Sequence, residues 1–274
     1  MSVIQKTTRK LALLPIVLLV TWASAAHPET EIRVGVYHFP PVASVSPDKQ
    51  PTGLLGDLLE ELKQIHNDVS FQIVYTSPKR RYLDYEAGLY DVIFFESSSW
   101  GWSDREVTVS RPILTDEELY VALKKPGRDQ SFFDDVSNRH IVAMSGYHYG
   151  FANFETEAQV LRDNFHIEFS DSHSRNLQLI MADRPSVAEV AIVGRSYLQA
   201  HLSKHPEDRE KLLVSDKPDQ HYKLRIIARK DGPLNANDMI DLLAPLVEDG
   251  SYRRMVEKWG LQLPPEFPTG SETP

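Results

Sequence analysis

The sequence predicts an α/β protein built from two lobes, and three observations carry that prediction. Short apolar runs with strand character alternate with helical segments through the first half of the chain. The same alternation returns in the second half. About 250 residues remain once the leader is set aside, which suits two lobes better than one large core. A strand-helix-strand rhythm of this kind makes a mostly parallel sheet covered by helices.

The elements follow in order. EIRVGVYHF alternates Ile32, Val34 and Val36, the period of a strand. GLLGDLLEELKQIH sets Leu54, Leu55, Leu58, Leu59, Leu62 and Ile65 on one helical face. FQIVY is the next strand. In SPKRRYLDYEAGLYD, Ser77 is placed to cap a helix with Pro78 at its first position, and Gly88 to end it. DVIFF follows as a buried strand. HIVAM, FHIEF and EVAIV repeat the theme, with helices expected near Gly150 to Asp163 and Ser174 to Asp183. KLRIIAR is a further strand, and DMIDLLAPLVEDG and SYRRMVEKWG are closing helices. The tail, residues 265–274, is Pro-rich and expected to be disordered.

The N-terminus reads as a secretory signal. Lys6, Arg9 and Lys10 precede the apolar run LALLPIVLLV, which ends at WASAA. That run is too short for a membrane-spanning helix. Cleavage near Ala25 or Ala26 makes residues 1–26 a signal peptide and the remainder a periplasmic protein. The chain has no cysteine, so its core alone must hold it. Losing the three basic leader residues takes the formal net charge from -9 to -12. Such a surface repels nucleic acid and anionic lipid. The ten histidines show no zinc-like spacing, so neither a metal nor another cofactor is expected.

The stretch SSSWGWSDREVTVSRP, residues 97–112, gathers two tryptophans, small hydroxyls and an arginine. A core strand does not need the arginine, and a surface loop does not need the tryptophans. A site gripping a small carboxylate needs both, because guanidinium pairs with carboxylate in a bidentate fork.

Six segments resemble, in order, the extracellular solute-binding proteins of family 3, which include periplasmic amino-acid-binding proteins of ABC transporters. They are RVGVYHFPPV, TGLLGDLLEEL, GLYDVIF, SDREVTVSRPI, SGYHYG and EDGSYRRMVEKWG. The resemblance implies a type II periplasmic binding protein fold, two lobes closing on a ligand like a Venus flytrap. Lobe 1 is expected at residues 27–118 plus 226–264 and lobe 2 at 119–225. ELYVALK and KLRIIAR would cross between them as the hinge.

The same resemblance puts Arg105 on the ligand's carboxylate, with Ser98 and Ser99 completing the grip. The alternative for Arg105 is a surface pair with Asp104 or Glu106. Tyr37 and Phe39 are expected to face Trp100 and Trp102 across the mouth, one tryptophan lining the pocket and the other packing in the core. Gly146, Tyr147 and His148 are expected on the far wall, before a helix whose N-terminal N–H groups favour anions.

One departure stands out. Where amino-acid-binding members hold an acid for the ligand's ammonium, this chain has Gly194 and Arg195, with Asp171 or Glu96 as possible substitutes. The expected ligand is therefore a small carboxylate, amino-acid-like or an organic acid, held by a monomer that serves a membrane permease or a receptor. The alternative functions are a dehydratase-like enzyme on the same scaffold, with Glu96 the suspected acid, or an accessory or sensor module without a transporter.

Overall fold

The computed structural model describes residues 29–268. The expected signal peptide and residues 269–274 of the tail lie outside them.

The chain runs β1 (Thr30–Val36), a small hairpin of β2 (Ser44–Val45) and β3 (Pro51–Thr52), α1 (Leu54–Ile65), β4 (Val69–Tyr75), α2 (Arg81–Glu86), β5 (Val92–Glu96), β6 (Val107–Val109) and β7 (Leu114–Leu123). It continues through β8 (Ile141–Met144), α3 (Ala158–Asn164), β9 (Ile167–Ser170), α4 (His173–Met181), β10 (Val190–Gly194), α5 (Arg195–Lys204) and β11 (Leu212–Val214). β12 (Gln220–Arg229), α6 (Ala236–Glu248) and α7 (Ser251–Lys258) complete it.

Two groups of strands, one for each lobe, are joined where β12 pairs with β7. In the first, β1 runs parallel to β4 and β5, and β12 pairs antiparallel with β5 and β6. In the second, β8 runs parallel to β9 and β10, and β7 pairs antiparallel with β10 and β11. Residues 114–118 of β7 pair with 220–224 of β12, after which the two strands part into different sheets. This is the two-lobed arrangement with two crossing strands, and partner exchange halfway along each gives the fold its hinge.

The helices cover the sheets as their patterns predict, with three differences. α1 buries Leu54, Leu55, Leu58, Leu59 and Leu62, but Ile65 in its last turn is exposed. The regular part of α2 begins at Arg81 rather than at Pro78; Ser77 does accept the Arg80 N–H at 3.2 Å as a cap would, but residues 78–80 form a turn that leads into the helix. The helix expected from Gly150 is a single 3-10 turn that stops at Asn153 and Phe154, both left-handed; α3 starts only at Ala158. α5 was not legible in advance, since RSYLQAHLSK carries no clear apolar stripe. In the described part of the tail, Phe267 is buried against the Tyr252 ring at 5.4 Å. No helix among the described residues is long and apolar enough to cross a membrane.

Candidate functional site

Parallel strands place their following loops together at the carboxyl ends, where α/β proteins bind ligands. Here the loop after β1 contributes Tyr37 and Phe39, the start of α2 Arg81, and the turn after β5 Trp100. The turn after β8 contributes Tyr147 and His148, and the crossing strand β7 contributes Glu118. These seven line a small cavity of about 10 Å³ between the sheets, room for about one water molecule. A larger depression, about 1110 Å³, lies against α1, β4 and α7. None of the buried polar atoms left without a partner lines it.

Aromatic rings close the cavity. Phe39 meets Trp100 edge-on at 6.0 Å and Tyr147 edge-on at 5.8 Å, geometries the ring quadrupoles favour. Trp100 stacks on the His148 ring at 6.2 Å. The Tyr147 hydroxyl donates to the His38 carbonyl at 2.9 Å. The Trp100 indole N–H donates to Gln220 Oε1 at 3.3 Å, and the Gln220 amide donates to the His148 carbonyl. Gly146 makes this approach possible. It has φ +77°, and a Cβ there would lie 2.6 Å from Lys79 Cγ and 3.0 Å from the Lys79 backbone nitrogen.

Charge is buried on both sides of the cavity. Arg81 is 1% exposed, its Nε 3.2 Å from Glu96 Oε2. It also donates to the Tyr82 hydroxyl at 2.7 Å and to the Pro78 carbonyl. Burial alone disfavours the Arg81 cation, but the Glu96 carboxylate and surrounding tyrosine oxygens outweigh it and raise its pKa. Glu96 is itself fully buried and accepts the Trp102 indole N–H at 2.6 Å. Burial, helped by the Arg81 cation, pushes the His148 imidazole down to about 3. His148 therefore stands neutral at pH 7, its Nδ1 3.4 Å from an Arg81 nitrogen. Burial, with the Asp116 and Asp219 carboxylates nearby, pushes the Glu118 carboxyl well up from its ordinary value.

The structure sorts the residues that the sequence nominates. Tyr37, Phe39, Trp100, Tyr147 and His148 come together around the cavity, with Gly146 beside them. Trp102 packs in the core, its ring 4.9 Å from Tyr82 and 5.5 Å from Tyr85. Ser98 and Ser99 are exposed, and the Ser99 hydroxyl is paired with Ser97 at 2.8 Å.

Arg105 does not line the cavity. Its Nε pairs with Glu86 at 3.0 Å, it donates to the Gly101 carbonyl, and its guanidinium lies 4.2 Å from the Tyr82 ring centre. Its partner is neither Asp104 nor Glu106, because α2 brings Glu86 closer. The expected helix N-terminus after His148 is also missing. The N–H groups of Gly150 and Phe151 are taken by the Asp219 carboxylate at 2.6 and 2.8 Å. Arg195 is turned away from the cavity onto Glu117 at 2.9 Å and Asp116 at 3.5 Å.

Glu118, Gln220, Tyr222 and Arg81 are not among the residues that the sequence nominates above. The signal for the first three is the strand period. Asp116 and Glu118 share the buried face of β7 with Leu114, and Gln220 and Tyr222 that of β12 with Leu224. No group of three His, Cys, Asp or Glu among the described residues is arranged to hold a metal.

Solved structures share this fold. A histidine-bound substrate-binding protein of an ABC uptake transporter from Streptococcus pneumoniae matches with a TM-score of 0.65 at 16% identity, over 84% of this chain and 92% of that one. A putative binding component of an ABC transporter from Wolinella succinogenes, complexed with lysine, matches at 0.64 and 19%, over 84% and 95%. A histidine kinase sensor domain similar to periplasmic binding proteins matches at 0.65 and 14%, over 87% and 99%. Among curated protein sequences none matches. The family model of the bacterial extracellular solute-binding proteins, family 3, matches residues 32–262. With its two lobes, crossing strands and interlobe cavity, the chain belongs to the bacterial extracellular solute-binding proteins of family 3.

Proposed function

We propose that this protein captures a small carboxylate-bearing molecule of the amino-acid type between its lobes and releases it unchanged. The observation that carries the reading is the buried Arg81 at the wall of an aromatic-lined cavity between two sheets joined by two strands. In this reading Arg81 takes the carboxylate-facing role that the sequence gives to Arg105. The rings of Tyr37, Phe39, Trp100 and Tyr147 hold the body of the ligand. Lobe 1 spans residues 27–118 plus 226–264, and lobe 2 spans 119–225. The protein acts in the periplasm as a monomer, after removal of its signal peptide, and presents the closed form to a membrane permease or a receptor.

Binding is favoured over catalysis by the state of Glu96. It is locked between Arg81 and the Trp102 indole, which ill suits a proton shuttle. A thermal-shift screen of amino acids and organic acids tests the reading, because a ligand that binds only the folded form raises its stability. At a concentration of 100 Kd the gain is about 2.7 kcal/mol. Calorimetry and mass spectrometry on the hits should then give one site per chain and recover the ligand intact. A product accumulating beyond one equivalent per protein would make it an enzyme.

A further inference from the structure

We propose that Glu118, together with the Tyr222 hydroxyl, is the receptor for a protonated amine on the ligand. The inference deepens the binding reading above and rests on it.

The position is set by topology. Glu118 stands where β7 passes from one partner to the next, opposite Gln220 of β12 and opposite Gly194 of β10. Gly194 has no side chain to fill the space beside it. A Cβ there would lie 3.8 Å from Tyr222 Oη, 3.9 Å from Glu118 Oε1 and 4.0 Å from Asp116 Oδ2. Three oxygens thus converge on one glycine.

The chemistry is unfinished. Glu118 is 2% exposed and lines the cavity, yet its Oε2 has no hydrogen-bond partner, and neither has the buried Tyr222 Oη. No cation among the described residues lies within ion-pair distance of Glu118. The nearby arginine, Arg195, is held by Asp116 and Glu117, and Arg81 is held by Glu96. A buried carboxylate without a partner is costly, and groups of this kind ask for a missing donor.

The surroundings set the sign of that donor. Asp116 and Asp219 add negative potential, and both acids, like Glu118, have their pKa raised chiefly by burial. The aromatic rings of Trp100, Tyr147 and Phe39, which line the same cavity as Glu118, suit a cation as well. An anion is repelled here. A quaternary ammonium would satisfy the charge but bring no N–H for Oε2, so the fit is to a primary or secondary ammonium.

The test uses three matched pools: the common amino acids, the same compounds without the α-amine, and the same compounds with the amine trimethylated. Each is titrated calorimetrically against the wild-type chain, Glu118→Gln and Tyr222→Phe. Binding of amine-bearing compounds alone, weakened roughly 100-fold in Glu118→Gln and less in Tyr222→Phe, is the expected result. The glutamine keeps the shape without the charge, and it should raise the melting temperature of the ligand-free protein. Tyr222→Phe gives a second reading should Glu118→Gln fold poorly. Deaminated or trimethylated compounds that bind as tightly as their parents, or amino-acid affinity unchanged in both variants, overturn the inference and leave the binding reading standing. No binding from any pool to the wild-type chain overturns both.

Discussion

Arg81 and Glu96 face each other at 3.2 Å with side chains 2% and 0% exposed, so each neutralises a charge the other's burial would otherwise forbid. Removing one partner leaves the other alone in the interior. Arg81→Met should therefore destabilise the fold by about 3–5 kcal/mol. The double variant Arg81→Met with Glu96→Gln should recover much of that loss, because no net charge then stays buried. Urea unfolding of the three proteins measures both effects. A single variant as stable as wild type would mean that Glu96 has another partner or is uncharged.

Arg105 is expected to behave quite differently. Its side chain is 24% exposed and pairs with Glu86, which is 51% exposed. Such a pair, with the guanidinium packed on the Tyr82 ring, contributes about 1 kcal/mol or less. Arg105→Ala should cost little stability and leave the affinity for any confirmed ligand close to wild type. A loss of about 2 kcal/mol or more in binding would return the carboxylate grip to Arg105.

Gly146 offers a handle on closure. Its positive φ costs an alanine about 1–2 kcal/mol, and the added methyl would meet the Lys79 backbone across the cleft. Gly146→Ala should hold the two loops apart. Small-angle scattering should then give a larger radius of gyration that saturating ligand reduces less than in wild type. An unchanged radius would show that the turn after β8 can yield without opening the cleft.

Acid should weaken the fold through two histidines. His148 and His173 are both pushed down to about 3, chiefly by burial. Their unfolded-state pKa is near 6.5. Between those values the unfolded chain binds protons that the folded chain refuses. Their contribution to stability is thus full above about pH 6.5 and is lost as pH falls toward 3, at about 1.4 kcal/mol per pH unit for each proton. Glu118 acts the other way, since its raised pKa favours the folded state at low pH. His148→Gln should flatten the stability profile across that window, as read from denaturant midpoints at several pH values. An unaltered slope would mean that His148 is protonated in the folded state.

The order of strands and the main helices were legible because local pattern decides them. Alternation marked Ile32, Val34 and Val36, and helical spacing marked Leu54 through Leu62, with no long-range information needed. The aromatic walls were legible too, since Tyr37, Phe39, Trp100, Tyr147 and His148 sit on loops that follow strands. The charges were harder. Arg105 lies in the right motif, but its partner Glu86 comes from a helix nineteen positions earlier, a distance no motif encodes. Glu118 looked like the opening of a crossing strand. Only the register that sets it against Gly194 and Gln220 makes it part of the cavity.

The chain of hydrogen bonds from Trp100 through Gln220 to His148 has an optical consequence. Trp102 is pinned to Glu96 within the core, and Trp259 donates to Asp57 at 2.8 Å, so neither indole senses the space between the sheets. Trp100 alone of these three stacks on a ring from the opposite wall. Parting the walls would bring water to its indole, redden its emission and open it to a soluble quencher such as iodide. The protein thus carries its own fluorescent gauge of closure, readable without any attached dye.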